Sequence, residues 1–276
     1  MLHLLKRGQA GSMKTISVPA DGISDSELQF INAYEDENGR VIFDAIRSDS
    51  RKVSKSMTEW PWAQTSDDFA ASASKKSLWR YKVNVSGGSV SKECISDVPI
   101  YFGSVNPAVS GQKHQYAYAA VGAMGMSNAP PQGIAKINVD TKAMDIWYPE
   151  EYEFCGEPMF APKKSENAGE DEDDGYIISV LNNGKEKSSE IIILDATKIT
   201  AGPIARIPLG IAIPHGLHGC FASTDECNWS AEEIERRAKL SDKMESRGNM
   251  WNEVKSDFSG LGLRLDDFEE YFGDLL

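Results

Sequence analysis

The stretch that decides the fold reads E-P-M-F-A-P at 157–162, D-G-Y-I-I-S-V-L at 174–181, S-E-I-I-I-L-D at 189–195 and P-I-A-R-I-P-L at 203–209. Each run is short, and Gly, Pro, Asn, Asp and Ser residues break the chain between the runs, which is typical of β-strands. Four strands joined by short loops form an antiparallel meander. Such a meander is the unit of a propeller blade, although a sheet of a β-sandwich leaves a similar pattern.

Comparable units lie upstream of this stretch. One combines L-Q-F-I-N-A-Y-E at 28–35 with G-R-V-I-F-D-A-I at 39–46, and another contains H-Q-Y-A-Y-A-A-V at 114–121, G-I-A-K-I-N-V at 133–139 and A-M-D-I-W-Y at 143–148. No fixed sequence period accompanies them, so the repetition is architectural. The fold class predicted for this part of the chain is all-β.

Two segments depart from the strand pattern. Residues 50–78 are polar and contain Trp60 and Trp62, which indicates an insertion between strands. After Thr224 the sequence S-A-E-E-I-E-R-R-A-K-L is helical in character, with Ser230 as its N-cap. We therefore predict two parts, a β portion at 1–224 and an acidic helical tail at 225–276.

Charge and composition exclude several classes of protein. The net charge is −13, and residues 225–274 alone hold 14 acidic and 7 basic side chains, which argues against a nucleic-acid partner. No apolar run approaches the roughly 18 residues of a transmembrane helix. The four cysteines form no C-x-x-C pair or disulfide framework, which fits a reducing compartment, cytoplasmic or plastid.

The most specific motif is I-P-H-G-L-H-G-C-F at 213–221. It resembles the P-x-G-F-H-G-x-F signature of the carotenoid cleavage oxygenases and the related retinoid isomerases. The resemblance continues in order along about residues 1–222. The matching segments are Q-F-I-N-A-Y-E-D at 29–36, L-W-R-Y at 78–81, D-V-P-I-Y-F at 97–102, E-P-M-F-A-P at 157–162, E-D-D-G-Y at 172–176 and S-E-I-I-I-L-D-A at 189–196.

This resemblance implies a fold and a function. The family's fold is a seven-bladed β-propeller, of which the chain would form about four blades, with Fe(II) held on the axis by four histidines. His218 matches the last of these ligands. Neutral imidazoles suit a ferrous ion and leave positions open for O₂. The implied activity is that of an Fe(II)-dependent dioxygenase, which cleaves a conjugated double bond of a carotenoid or apocarotenoid with O₂.

The resemblance also assigns supporting residues and one departure. Glu157 and Asp97 match the glutamates that accept the second ring N–H of the ligand histidines, with Asp97 one methylene shorter. Gln29 occupies the position of a ligand histidine, three residues before Asn32, and an amide oxygen is a poorer ligand for Fe(II) than imidazole. The chain therefore carries one of the four expected ligands.

The other histidines do not restore the cluster by this interpretation. His215 lies three residues before His218 and faces away from it in an extended segment, while His114 is expected to be a structural residue in a strand. A second hypothesis is therefore a catalytically inactive or truncated family member that acts as a binding or scaffold protein. The weakest alternative is an unrelated propeller interaction module.

Two further features have more than one interpretation. The acidic run 170–174 lacks the spacing of a Ca²⁺ loop, so a solvated turn is favoured over a cation site. Trp60 and Trp62, with basic residues nearby, fit either peripheral contact with a membrane surface or ordinary packing, and we favour packing.

Overall fold

The computed structural model describes residues 1–6, 8, 11–18, 28–48, 76–122, 131–163 and 171–222, together with Ser230 and Glu235. By its internal contacts the chain separates into Met1–Phe221 and Ala222–Leu276. The helical tail predicted for 225–276 lies outside the described residues apart from Ser230 and Glu235. Residues 49–75, with Trp60 and Trp62, also lie outside them.

The described part of the chain is nearly all β. Two short 3-10 turns, Pro107–Val109 and Ile199–Ala201, interrupt the strands. The strands are β1 (Leu2–Leu5), β2 (Met13–Ile16), β3 (Leu28–Glu35), β4 (Arg40–Ser48), β5 (Lys76–Asn84), β6 (Ser89–Ser96), β7 (Ile100–Ser104), β8 (Tyr116–Gly122), β9 (Pro131–Asn138), β10 (Met144–Trp147), β11 (Glu153–Cys155), β12 (Met159–Pro162), β13 (Gly175–Asn183), β14 (Ser188–Asp195) and β15 (Pro203–Pro208).

These strands form antiparallel sheets in chain order. β1 pairs with β2, β3 to β6 form one four-stranded meander, and β7 to β10 form a second. The last sheet has the order β11-β13-β14-β15, and β12 also pairs with β13. Three full sheets and one two-stranded sheet agree with the predicted number of about four blades.

The apolar clusters of the described residues lie between successive sheets. Ile46 and Leu78 of the first meander pack with Val121 and Ile137 of the second. In the same way, Tyr118 and Ile134 of the second meander pack with side chains of the last sheet: Ile177, Leu181, Ile192 and Leu194. The first and second meanders thus bury both faces, whereas the last sheet buries the face that carries Ile177 and Leu181. The alternation of buried and partly exposed residues along β13 follows from this packing.

The acidic turn at 171–174 is not the solvated turn that the sequence predicts. The Glu172 carboxylate accepts hydrogen bonds from the backbone N–H groups of Gln115 and Tyr116, at 2.7–3.0 Å. Asp173 pairs with Lys136, and Asp174 pairs with Lys163 at 2.9 Å. The sequence could not reveal this because the partners at Gln115, Tyr116 and Lys136 come from another sheet. The turn fastens the last sheet to its neighbour.

Within the described ranges, no helix is long and apolar enough to cross a membrane. Of the cysteines in these ranges, Cys155 has a buried thiol and Cys220 an exposed one.

Gly175 lies in a closely packed part of the last sheet, where a larger residue would meet Phe160 and Ala161. A Cβ atom at this position would lie 2.3 Å from Cζ of Phe160 and 2.8 Å from the carbonyl oxygen of Ala161. We expect Gly175→Ala to lower the free energy of unfolding by about 1–3 kcal/mol, because the buried ring and backbone must move. Urea denaturation measures the change.

The matched control is Gly184→Ala, because the added methyl would meet only the carbonyl oxygen of Tyr152 at 3.6 Å. Its stability should stay within about 0.5 kcal/mol of the parent. Equal losses in both variants would contradict the packing described around Gly175.

Candidate metal centre

The centre of the candidate site is a contact between Glu157 and His218. His218 Nδ1 lies 3.1 Å from Oε1 of Glu157. The second carboxylate oxygen, Oε2, accepts a hydrogen bond from the backbone N–H of Gly219. Glu157 is therefore joined at two points to the adjacent residues His218 and Gly219, of which His218 is 61 positions away in the chain.

The protonation of the imidazole follows from its partner. An ionised carboxylate only accepts hydrogen bonds, so His218 Nδ1 must carry the proton that it shares with Glu157. In the neutral ring this leaves the lone pair on Nε2 free. The His218 side chain is 61% exposed and that of Glu157 only 17%, so the carboxylate is held inside while Nε2 remains accessible.

Local strand geometry explains the position of Glu157. β11 pairs with Leu181–Asn183 and β12 with Gly175–Ile178, so one edge of β13 has two short partners with a break between them. Glu157 lies in that break, between Gly156 and Pro158. Pro158 has no backbone N–H and cannot donate a hydrogen bond to β13, so the strand pairing is interrupted at this point. Because Glu157 lies outside both strands, its side chain does not have to alternate between the faces of the sheet, and the carboxylate can reach His218.

A shallow cavity of about 110 Å³ lies beside this pair. Its lining residues are Gly156, Glu157, Val180, Asn182, Ile213, Pro214, Gly216, Leu217, His218 and Gly219. The Phe102 ring also meets His218 edge to face, with ring centroids 6.0 Å apart. Phe102 has a φ of 53°, a conformation that side-chain-bearing residues seldom adopt. The irregular β7 thus turns an aromatic ring towards the candidate ligand.

Gln29 lies in the first meander, and Asp97 lies in the turn that follows it. Gln29 is on β3 opposite Ile46, and Asp97 is exposed in the turn between β6 and β7. β3 packs tightly on β7, since a Cβ on Gly103 would lie 2.3 Å from Cδ1 of Ile31. The strand of Gln29 is therefore linked through β7 to the ring that contacts His218. The roles of Gln29 and Asp97 stay predictions.

The other histidines have separate partners. His215 Nδ1 lies 3.3 Å from Nδ2 of Asn182, and its ring meets Phe154 edge to face. His3 Nδ1 lies 3.0 Å from the hydroxyl of Thr15. Within the described ranges, no group of three or more His, Cys, Asp or Glu side chains could hold a metal ion.

His114 belongs to a buried polar network that sequence reasoning missed. It precedes β8 rather than lying in a strand, which corrects the prediction. Its Nδ1 lies 3.0 Å from Nδ2 of Asn32, and its Nε2 lies 2.9 Å from Oδ2 of Asp44. Arg80 forms two parallel 2.8 Å bonds with the same carboxylate. A structural role for His114 agrees with these contacts.

The donor set therefore fits part of an iron centre. His218 has a free Nε2, and its orientation is fixed by a carboxylate behind it, which is the arrangement that metal-bound histidines use. One imidazole is not a complete set for a ferrous ion, and the described residues contain no group of three or more His, Cys, Asp or Glu side chains that would complete it.

Comparison with known proteins places this geometry in a family. The model of the family described as Retinal pigment epithelial membrane protein matches residues 22–223. Apocarotenoid-15,15'-oxygenase of Synechocystis is 30% identical over 78% of this chain and 41% of its own length. Zeaxanthin 7,8(7',8')-cleavage dioxygenase of Crocus sativus is 26% identical over 76% of this chain and 57% of its own.

The solved structures agree. The crystal structure of cobalt-substituted Synechocystis ACO has a TM-score of 0.71 and 28% identity, covering 80% of this chain and 43% of that one. The chain thus spans about half the length of the relatives it matches. The prediction of an all-β, partial propeller fold is confirmed by the sheets together with this similarity. The chain belongs to the carotenoid cleavage oxygenase and retinal pigment epithelial membrane protein family.

Proposed function

We propose that this chain provides the last histidine ligand of an Fe(II) centre, His218, in a dioxygenase that cleaves a conjugated double bond of a carotenoid or apocarotenoid. The observation that supports the proposal is the 3.1 Å contact between His218 Nδ1 and Glu157, which leaves Nε2 free. The names of the relatives support the substrate class.

Ferrous iron, when bound, would supply the binding and activation of O₂, which no protein side chain can provide. The chain's own residues have supporting tasks. Glu157 holds the proton on Nδ1 and so keeps the lone pair on Nε2. Its second oxygen, bonded to Gly219 N–H, prevents the carboxylate from rotating away. Asp97 is proposed to support a ligand in the same way, more weakly because its side chain is shorter.

A second candidate is an inactive or truncated family member that binds a polyene without cleaving it. Two observations favour it. Gln29 stands where the family motif has a ligand histidine, and the described residues contain no group of three or more potential metal ligands. In this case the polyene would bind but no reaction would follow.

Iron content and cleavage distinguish the two candidates. The full chain is purified without oxygen, supplied with Fe(II) and desalted, and its iron is measured. It is then mixed with β-carotene or an apocarotenal in air-saturated buffer, and the products are separated by chromatography. The enzyme proposal predicts stoichiometric iron and aldehyde products. Polyene binding without iron or products would favour the second candidate and leave the family assignment intact.

Two further predictions concern a membrane surface and nucleic acid as partners. Contact with a membrane surface through Trp60 and Trp62 is a proposal about residues outside the described ranges. The acidic charge argues against nucleic acid as a partner.

A further inference from the structure

Ser189 on β14 is a buried hydroxyl that holds a loop rather than its own sheet. The residue is 1% exposed. Its Oγ accepts a hydrogen bond from the backbone N–H of Ile213 at 2.8 Å and lies 3.3 Å from the Ile213 carbonyl oxygen. Its backbone N–H donates to Ile211, and its carbonyl accepts from Leu209. One serine thus fixes the segment 209–213, which leads directly to His218.

Asn182 extends this anchoring towards the candidate ligand. It lies opposite Ser189 in the register of β13 and β14, and its Oδ1 accepts a 3.0 Å bond from the serine hydroxyl. This orients the amide so that Nδ2 faces His215 Nδ1 at 3.3 Å. Asn182 also lines the cavity that contains Glu157 and His218. The segment 209–215 is therefore tied to the sheet along its length.

The same strand holds the opposite side of the site. Ser179 Oγ donates to the carbonyl oxygen of Gly156 at 3.1 Å, and the Gly156 N–H donates to the carbonyl of Val180 at 2.8 Å. Glu157 follows directly in the chain. β13 is consequently the common platform for both members of the Glu157–His218 pair, and polar side chains on its two faces set their separation.

We propose that Ser189 and Asn182 are positioning residues that hold His218 in its contact with Glu157. In this proposal His215 contacts Asn182 and so anchors the segment that leads to His218, and it is not a metal ligand. The assignment of His218 as a ligand rests on the proposed function, but the positioning does not require metal. A carboxylate and an imidazole from two loops meet at 3.1 Å only if both loops are anchored.

The test is the tautomer of His218 in the metal-free full chain. Long-range ¹H–¹⁵N spectra at pH 8 distinguish Nδ1–H from Nε2–H in each histidine, and a His218→Gln variant assigns the signal. The parent should show His218 in the Nδ1–H form. In Ser189→Ala the ratio of Nδ1–H to Nε2–H should fall by about threefold to tenfold, since one neutral hydrogen bond to the segment is lost.

Matched variants separate positioning from general stability. Ser188→Ala, on the neighbouring residue outside this network, should leave the ratio unchanged. Asn182→Ala removes both the acceptor that faces Ser189 and the donor that faces His215, so it should also lower the ratio. The signal of the buried His114 reports an intact fold. If Ser189→Ala loses that signal, the variant at the partly exposed Asn182, Asn182→Ala, decides.

The outcomes are distinct from those of the iron test. If both Ser189→Ala and Asn182→Ala show the parent's ratio at His218 while the His114 signal is intact, the positioning role is overturned. A shifted ratio in a chain that binds no iron supports the positioning role and counts against the proposed function alone.

Discussion

Replacing Asp44 with Ala is expected to lower the free energy of unfolding by about 3–5 kcal/mol, measured by urea denaturation at pH 7. The Asp44 side chain has no exposed surface and that of Arg80 is 8% exposed. The carboxylate accepts both parallel bonds from the guanidinium and lies 2.9 Å from His114 Nε2. Its removal would leave the Arg80 charge buried, with the half-exposed Asp140 as its remaining partner.

The control for this loss is an exposed ion pair. Glu93 and Lys142 are 2.6 Å apart, with side chains 50% and 41% exposed. Glu93→Ala should cost less than about 1 kcal/mol, because water replaces the partner. A loss for Asp44→Ala no larger than that for Glu93→Ala would show that the buried network contributes little.

The pH dependence of stability provides a second check on Asp44. Burial alone would raise the pKa of Asp44, but the hydrogen bonds from His114 and Arg80 and the Arg80 charge outweigh it and lower the pKa below 3.8. The ionised carboxylate therefore stabilises the folded state above that pH, and this contribution is lost as the pH falls through the folded pKa. The difference in the free energy of unfolding between the parent and Asp44→Asn should therefore become smaller as the pH is lowered.

This network shows where sequence reasoning stops. The alternation in G-R-V-I-F-D-A-I predicts β4 correctly, and the same pattern contains a signal that went unused. Asp44 stands within an apolar run, and a charge there is seldom buried without a partner. Its partner Arg80 lies directly opposite on β5, but the pairing register is not visible in the sequence. His114 comes from a loop in another sheet, and nothing local indicates it.

The candidate site was predictable to a different degree. Glu157 and His218 were found through motifs, and the structure brings them into contact although the sequence cannot state a distance. The break between β11 and β12 that frees Glu157 has a sequence signal, since Pro158 cannot donate to a sheet. No comparable signal in the sequence indicates the roles of Ser189 and Asn182. A serine in a buried strand resembles any other small residue until its partners are known.

His218→Ala should abolish metal binding at the candidate site, and Glu157→Gln should weaken it by about 10–100-fold. Glu157→Gln should weaken binding because glutamine cannot accept both hydrogen bonds that the carboxylate accepts. Two N–H groups, on His218 Nδ1 and Gly219, converge on the two oxygens of Glu157. An amide has one oxygen and an NH₂ group, so one donor would face another donor, and the ring would lose its fixed orientation.

Titration of the full chain with Co(II) measures these effects without any assay of activity. A paramagnetic ion broadens the nearest histidine resonances first, and the parent should lose the His218 signal at the lowest metal concentration. His3→Ala is the matched control, because His3 lies at the two-stranded sheet and contacts Thr15. It should titrate like the parent.

The result that would count against the site is broadening centred on another histidine while His218 keeps its signal. Gln29→His provides the opposite arm of the experiment, since it restores an imidazole where the family motif has one. If Gln29 occupies a true ligand position, this variant should bind the ion more tightly than the parent, and the gain should vanish when His218→Ala is added. Independent, additive effects of the two changes would place Gln29 and His218 at separate sites.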